Sequence, residues 1–284
     1  MINSVVLGFF DGVHAGHREL INSAVNFSGV NKTILLTFKT SPSLYFNGIE
    51  EYIRTREKSV QIIKNLGVDV VEETDFSAIA NQSAEDYLKN ILQKYSPKAI
   101  YTGFNHSFGY NRTGNPKFLS EKSKELGFEY YCLEPYKIDN QIVSSTYIKK
   151  LLKEGNIKLA NKLLVEPFSI SGEVIRGNQI GRTIGFPTAN INYPNSIVRI
   201  PFGVYSVNLT VENKLCQGIM NWGRKPTINN SSPVAEIHII GFNGDLYGKN
   251  ISVNVLDYIR SEEKFNSIEE LKQQIEKDLA CLRS

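Results

Sequence analysis

"SVVLGFFDGVHAGHREL", residues 4–20, decides the fold of the first half of the chain. Its opening "SVVLGFF" is a continuous apolar run, as expected of a strand buried on both faces. Helical spacing follows, with Leu20, Ile21, Ala24 and Phe27 on one side. A buried strand passing through a glycine-bearing turn into a helix is how a parallel α/β sheet begins. Such sheets bind ligands beyond the carboxyl ends of their strands. Gly8 and Gly12 let a phosphate approach the backbone, and the helix N-terminus offers N–H groups and partial positive charge. An imidazole has an ordinary pKa of about 6.5, and adjoining phosphates raise it. His14 and His17 are therefore expected to donate hydrogen bonds to a polyphosphate. The matching chemistry is attack on the α-phosphate of a nucleotide with pyrophosphate leaving, which depends on positioning and on stabilising developing charge.

Working outward, "KTILLTF" (32–38), "VDVVEET" (68–74), "KAIYTG" (98–103) and "FEYYCLE" (128–134) read as strands. "EKSVQIIKNLG" (57–67) and "QSAEDYLKNILQKY" (82–95) read as helices between them, the second opened by Ser83 with Asp86 at capping-box spacing. Near residue 144 the rhythm changes. "SSTYIKKLLKEGNIKLANKLL" predicts two short helices broken at Gly155–Asn156. Beyond Pro167 the chain turns strand-rich: "FSISGEVI", "GVYSVNLTV", "KLCQGIM", "VAEIHIIGF" and "NISVNVLDYI". Gly, Asn and Pro separate these runs, as in a small barrel or a sandwich. "SIEELKQQIEKDLACL" predicts a last helix capped by Ser267.

A chain of 284 residues exceeds the usual single domain of roughly 100–200, so two are expected. The 41% hydrophobic and 21% charged shares are those of a globular protein. With 32 basic against 29 acidic side chains and no like-charge block, nothing favours a nucleic-acid partner. Cys132, Cys216 and Cys281 match neither a disulfide framework nor a zinc spacing. No run approaches the ~20 apolar residues of a membrane span, and residue 1 onward does not read as a secretory leader. A cytoplasmic location is expected, with no obligate protein partner implied.

"GEVIRGNQIGRTIGFPTANI" (172–191) is the informative stretch of the second half. Gly172, Gly177, Gly181 and Gly185 give a close-approach loop for phosphates, and Arg182 meets their charge. "PTAN" then sets the Thr188 hydroxyl and the Asn190 amide two residues apart, on one side of an extended segment. Neutral oxygens, with water and substrate phosphates, suit Mg²⁺. In "VAEIHIIGF", Glu236 and His238 alternate with Ala235, Ile237 and Ile239. A carboxylate so placed is ordinarily solvated, yet it can deprotonate a substrate hydroxyl.

These motifs occur together in a known order. "GFFDGVHAGH", including Phe10 and Asp11, resembles the G-x-F-D-G-V-H-x-G-H signature of FMN adenylyltransferases. "VSSTYIKK" (143–150) resembles that family's second nucleotide motif, which implies nucleotide contacts for Ser144, Ser145, Thr146 and Lys149. "GFNHSFGYNRTG" (103–114) is similar to the intervening segment and puts Asn105 at a ligand-contacting position. Two positions depart: Ser41 in "TFKTSP" stands where a histidine is usual, and Lys149 where an arginine is. "GRTIGFPTANI", "GVYSV", "MNWGRKPTI", "AEIHIIGFNGDLYGKNISV" and "IRSEEKF" resemble successive motifs of riboflavin kinase.

The second resemblance implies a six-stranded antiparallel barrel with a C-terminal helix. It implies Mg²⁺ at Thr188 and Asn190, and Glu236 as base on the ribityl 5′-hydroxyl. Phe186 and Pro187 belong to its phosphate loop, Asn221 and Thr227 to an N-x-G-x-x-P-T loop, and Arg260 and Phe265 to the flavin's surroundings. His238 and Trp222 are expected to pack.

The whole is similar to the bifunctional riboflavin kinase/FMN adenylyltransferase family. That implies an N-terminal Rossmann-like nucleotidyltransferase sheet over 1–165 and a kinase barrel over 166–284. Riboflavin would be phosphorylated to FMN, and FMN adenylylated to FAD, each with ATP. The departures at Ser41 and Lys149 leave a kinase with a degenerate first domain as the rival reading, and a non-catalytic flavin-binding regulator as another.

Overall fold

The computed structural model of the chain describes residues 2–177, 180–224 and 233–282, without the side chains of Ile180, Arg182 and Arg224. Its backbone divides into two compact units, Met1–Tyr147 and Ile148–Ser284.

The first unit begins β1 (Asn3–Leu7), α1 (Ala15–Val25), β2 (Lys32–Phe38), α2 (Pro42–Asn47), α3 (Arg56–Asn65) and β3 (Val70–Thr74). It continues with α4 (Phe76–Ile79), α5 (Ala84–Tyr95), β4 (Pro97–Gly103), α6 (Pro116–Leu126) and β5 (Glu129–Leu133), then a small hairpin of β6 (Lys137–Ile138) and β7 (Gln141–Ile142). The five main strands form a parallel sheet in the order β3-β2-β1-β4-β5. β1 takes the centre because Val5, Val6 and Leu7 are covered on both faces, at most 1% exposed. On one face Val5, Leu7, Ile34 and Ile100 pack with Leu88 and Ile91 of α5 and Leu119 of α6. Each such side chain contributes roughly 1.5–3 kcal/mol through burial. Because β1 lies between β2 and β4, the chain reverses its winding there, and the crevice beyond their carboxyl ends is the topological switch point.

Ser83 caps α5, its hydroxyl accepting from Asp86 N at 3.0 Å, as its spacing predicts. The helix α6, which the strand-and-helix alternation left unmarked, is delimited by its own signals. Asn115 accepts from Phe118 N, Pro116 takes the first turn, and Gly127 ends it in the left-handed conformation.

The second unit holds most of α7 (Ser145–Lys153), then α8 (Ile157–Leu163), β8 (Ser169–Ile175), α9 (Ile180–Thr183) and β9 (Thr188–Asn192). After these come β10 (Gly203–Val211), β11 (Lys214–Arg224), β12 (Pro233–Ile239), β13 (Asn250–Arg260) and α10 (Ile268–Ala280). The six strands close into an antiparallel barrel in the order β10-β11-β12-β9-β8-β13. Strand patterning alone left barrel and sandwich open; pairing of β10 with β13 closes the sheet and removes its edges. Ser267 caps α10, accepting from Glu270 N at 3.1 Å. Trp222 is buried, and its Nε1–H donates to Ile200 O at 3.1 Å.

Candidate active sites

At the switch point the chain leaves β1 through two successive positive-φ residues, Gly12 at 79° and Val13 at 47°. A Cβ on Gly12 would lie 2.7 Å from Ile53 Cδ1, so glycine is required twice over. A β-branched residue at positive φ is strained, at a cost of about 1–3 kcal/mol. The turn delivers His14 as the N-cap of α1, with His17 at its third position. Each ring serves the other's backbone: His17 N donates to His14 Nδ1 at 3.3 Å, and His14 N to His17 Nδ1 at 3.4 Å. The rings stack at 3.6 Å and 17°.

An Nδ1 that accepts cannot carry the proton, so both neutral imidazoles hold it on Nε2, as donors. Burial lowers the His14 pKa to about 4. Burial first, and then the His14 charge, lower that of His17 well below its ordinary value. In the protein by itself both imidazoles are thus neutral donors. Phe10 and Asp11, expected among ligand contacts, turn inward instead. Phe10 is fully buried with its ring 4.9 Å from that of His17. Asp11, 4% exposed, accepts from Ile53 N at 2.8 Å. Both hold the turn and its histidines in place.

Two other sequence motifs reach this edge. The Ser145 hydroxyl donates to Asp11 O at 2.9 Å, while Ser144 Oγ accepts from Tyr147 N at 3.3 Å and so caps α7. Both hydroxyls, expected to meet nucleotide, also bond the backbone; Thr146 is exposed, and Lys149 follows Ser145 by one helical turn. Asn105 lies exposed just beyond β4. Beside it His106 stacks on Phe108 at 5.6 Å. Its Nε2 is buried with no hydrogen-bond partner among the described residues, and burial lowers its pKa to about 4. Ser41 is buried and caps α2, accepting from Leu44 N at 3.1 Å, which accounts for a hydroxyl there. Beyond β2 and β3, Tyr45 and Phe46 stand 47% and 60% exposed against Phe76, at 5.4 and 5.6 Å. Sequence reading missed this aromatic group, although "SLYF" just past a strand end carried the signal.

In the barrel a cavity of about 490 Å³ is lined by Thr188, Asn190, Asn221, Glu236, Arg260 and Phe265, among others. Registry explains the gathering. Arg260 pairs with Val204, Val204 with Asn221, Asn221 with Glu236 and Glu236 with Asn190, one row crossing five strands. Directly paired residues present their side chains to the same face, and all five line the cavity. Thr188 and His238 form the adjacent pair on the same face. His238, expected only to pack, therefore faces the cavity; its Nδ1–H donates to Pro187 O at 3.0 Å, the carbonyl being able only to accept. Gly181 and Phe186 line the same cavity, and Phe186 N donates to Gly181 O at 2.7 Å. A Cβ on Gly177 would come within 2.7 Å of the Asn190 amide, so the loop's glycine lets that amide lie against the backbone. Gly185, with φ of 89°, is exposed and makes the turn into Phe186. Thr227 lies outside the described residues, as does the side chain of Arg182.

Arg260 is forked onto Asp278 of α10, with Nε and Nη2 at 2.8–3.1 Å from the carboxylate. Its guanidinium lies 5.8 Å from the Phe265 ring centre. Glu262, not anticipated, also lines the cavity, and burial pushes its carboxyl up. A second cavity of about 600 Å³ shares Thr188 with the first and adds Asp245, Leu246 and Tyr247. Among the described residues no group of three or more His, Cys, Asp or Glu side chains gathers to hold a metal ion. The Thr188 and Asn190 oxygens beside Glu236 instead form a sparse oxygen set that fits Mg²⁺ only with substrate oxygens completing its shell.

Residues 2–147 match the family described as FAD synthetase, and residues 164–284 that described as riboflavin kinase. A bifunctional riboflavin kinase/FMN adenylyltransferase from Buchnera aphidicola subsp. Schizaphis graminum is 36% identical, over 99% of this chain and 93% of the relative. The chain belongs to the bifunctional riboflavin kinase/FMN adenylyltransferase family. Members from Bacillus subtilis and Escherichia coli K12 are 34% and 33% identical, each over 96% of this chain. The protein is a riboflavin kinase and an FMN adenylyltransferase, with ATP, riboflavin, FMN and FAD as substrates and products. A crystal structure from Streptococcus pneumoniae named a macrolide-efflux protein superposes with a TM-score of 0.90 and 29% identity, covering 100% of this chain and 94% of its own. No helix among the residues described here is long and apolar enough to cross a membrane.

Proposed function

We propose that adenylyl transfer occurs at the histidine-bearing edge of the N-terminal sheet and phosphorylation in the barrel cavity, with the functional domains spanning 1–165 and 166–284. The row Arg260, Val204, Asn221, Glu236, Asn190 carries the assignment of the kinase site. It joins a carboxylate, two amides and a guanidinium in one cavity, as a polyhydroxylated ring substrate and a phosphoryl donor need.

In the kinase step Glu236 takes the proton of the riboflavin 5′-hydroxyl as that oxygen bonds to the γ-phosphorus of ATP. The bond from γ-phosphorus to the bridging oxygen breaks, and ADP leaves. Thr188 and Asn190 would hold Mg²⁺, which supplies charge neutralisation on the transferring phosphates when bound. Gly177, Gly181, Arg182, Gly185, Phe186 and Pro187 form the loop over those phosphates, with Asn221 and Thr227 assisting. Phe265 and Arg260 flank the flavin ring.

In the adenylyl step an FMN phosphate oxygen attacks the α-phosphorus of ATP and pyrophosphate departs. His14 and His17 donate their Nε2–H groups to the charge that develops there, without gaining or losing a proton. Gly8 and Gly12 admit the phosphates; Thr146, Lys149 and the N-terminus of α7 hold them from the side; Asn105 contacts the ligand. Ser144 and Ser145 fix α7 and turn the remaining hydrogen-bonding capacity of their hydroxyls to the nucleotide. Tyr45, Phe46 and Phe76 offer the FMN ring an aromatic platform. The protein works on small molecules in the cytoplasm, without an obligate partner.

The test is a time course with riboflavin, ATP and Mg²⁺, products separated by chromatography. FMN should rise first and FAD follow. FMN supplied alone with ATP should yield FAD directly. A chain that makes FMN and never FAD would refute the adenylyl assignment.

A further inference from the structure

We propose that Asp278 is a positioning residue for riboflavin phosphorylation, fixing the Arg260 guanidinium against the flavin cavity from the C-terminal helix. The inference rests on the reading of that cavity as the flavin site.

Among the described residues of α10, Asp278 alone is buried, 2% exposed. An amphipathic helix normally docks by burying apolar side chains. Here Leu271 and Ile275 are only half-buried and line the cavity, and the group sealed away is an aspartate. Its two oxygens take Arg260 Nε at 2.9 and 3.1 Å and Nη2 at 2.8 Å, and Gln274 Nε2 donates to Oδ1 at 3.0 Å. Arg260 Nη1 donates to Ser261 O at 3.0 Å. The guanidinium is planar, so holding three nitrogens fixes the whole group, including its face toward Phe265.

A buried ion pair is a poor way to gain stability, because desolvation consumes much of the attraction. It is a good way to hold a charged plane at one angle. Since Arg260 and Asp278 both line the cavity, the orientation they share faces the substrate. Asp278 touches no reacting atom and acts through Arg260.

The experiment uses the full chain. Asp278→Asn keeps the shape of the side chain but loses half of the fork. KM for riboflavin should rise about tenfold, the ~1.4 kcal/mol of one oriented charge-assisted contact. KM for ATP, kcat for phosphorylation and the rate of FAD formation from added FMN should stay near those of the parent. Asp278→Glu, with its charge retained, should recover most of the riboflavin affinity. Arg260→Lys cannot make the fork, so adding Asp278→Asn to it should cost little more. Unchanged KM for riboflavin in Asp278→Asn overturns the proposal. So do a fall of kcat and both KM effects together with a lowered unfolding temperature, and full additivity with Arg260→Lys. If Arg260→Ala itself leaves riboflavin binding unchanged, the flavin-site reading fails instead.

Discussion

Ser145 Oγ donates to the backbone oxygen of Asp11 at 2.9 Å, joining residues 134 apart in sequence. The bond ties the start of α7 to the turn that carries His14 and His17, so the two nucleotide motifs are held as one frame. It anchors the carbonyl that precedes the strained Gly12–Val13 turn.

Ser145→Ala should therefore lower FAD formation from FMN by about tenfold, since misplacing a positioning group raises the barrier for transfer. Stability should fall by only about 1 kcal/mol, the net worth of a hydrogen bond. Phosphorylation of riboflavin, measured in the same preparation, should not change. Equal loss of both activities would refute the frame.

The sequence revealed the frame's parts but not how they connect. A continuous apolar run located β1, because burial on both faces leaves little choice of residue, whereas the edge strands β3 and β5 are only partly buried and carry glutamates. "SSTY" announced a helix N-terminus, and Ser144 is its cap. What a serine hydroxyl does with its proton depends on a neighbour far away in the chain, so the bond from Ser145 to Asp11 was invisible. Phe10 and Asp11 belong to the motif, yet side-chain direction in a positive-φ turn cannot be read from spacing, and both turned inward. Glu236 and His238 showed by alternation that they share a face. Which residues meet them was set by strand register, and that registry brought in Arg260, 24 positions on in the chain from Glu236. Nothing in the sequence of the last helix set Asp278 apart from its other acidic residues.

The reciprocal cap of His14 and His17 predicts a pH response of definite sign. Both rings are neutral in the folded protein, with His14 lowered to about 4 by burial. The unfolded chain binds protons below about 6.5 while the folded one does not. This contribution to stability is complete above pH 6.5 and is lost as pH falls from 6.5 toward 4. It amounts to roughly 3 kcal/mol for His14. Denaturant midpoints of the first unit's transition should therefore drop across that window. The rate of FAD formation should be flat from pH 6.5 to 8.5. A tenfold decline per pH unit above 6.5 would mean that a charged imidazole is needed, contrary to the tautomers assigned here.

His106→Phe isolates a different term. The wild-type ring stacks on Phe108 while its Nε2 is buried with no partner among the described residues. An unsatisfied buried nitrogen costs about 1–3 kcal/mol. Phenylalanine keeps the stack, so the variant should be about 1 kcal/mol more stable at pH 7. The gain should widen as pH falls below 6.5, because a proton-binding difference that favours the unfolded chain is gone. Chemical denaturation at pH 7 and pH 5 checks both signs. A destabilised variant would show that Nε2 is satisfied.

Glu236→Gln separates the two activities. The side chain keeps its size and its place in the row between Asn221 and Asn190, but an amide cannot accept the proton of the ribityl hydroxyl. General-base catalysis is worth about 10²–10⁴-fold, so kcat for FMN formation should fall by at least about a hundredfold. Riboflavin affinity should stay within about threefold, which is less than 1 kcal/mol. FAD formation from added FMN, at the other site, should be untouched. Steady-state rates with riboflavin, and separately with FMN, give both numbers from one sample. If the Gln variant phosphorylates riboflavin at the parental kcat, the proton goes elsewhere and the row serves binding alone. If riboflavin affinity collapses while kcat holds, Glu236 grips the substrate and is not its base.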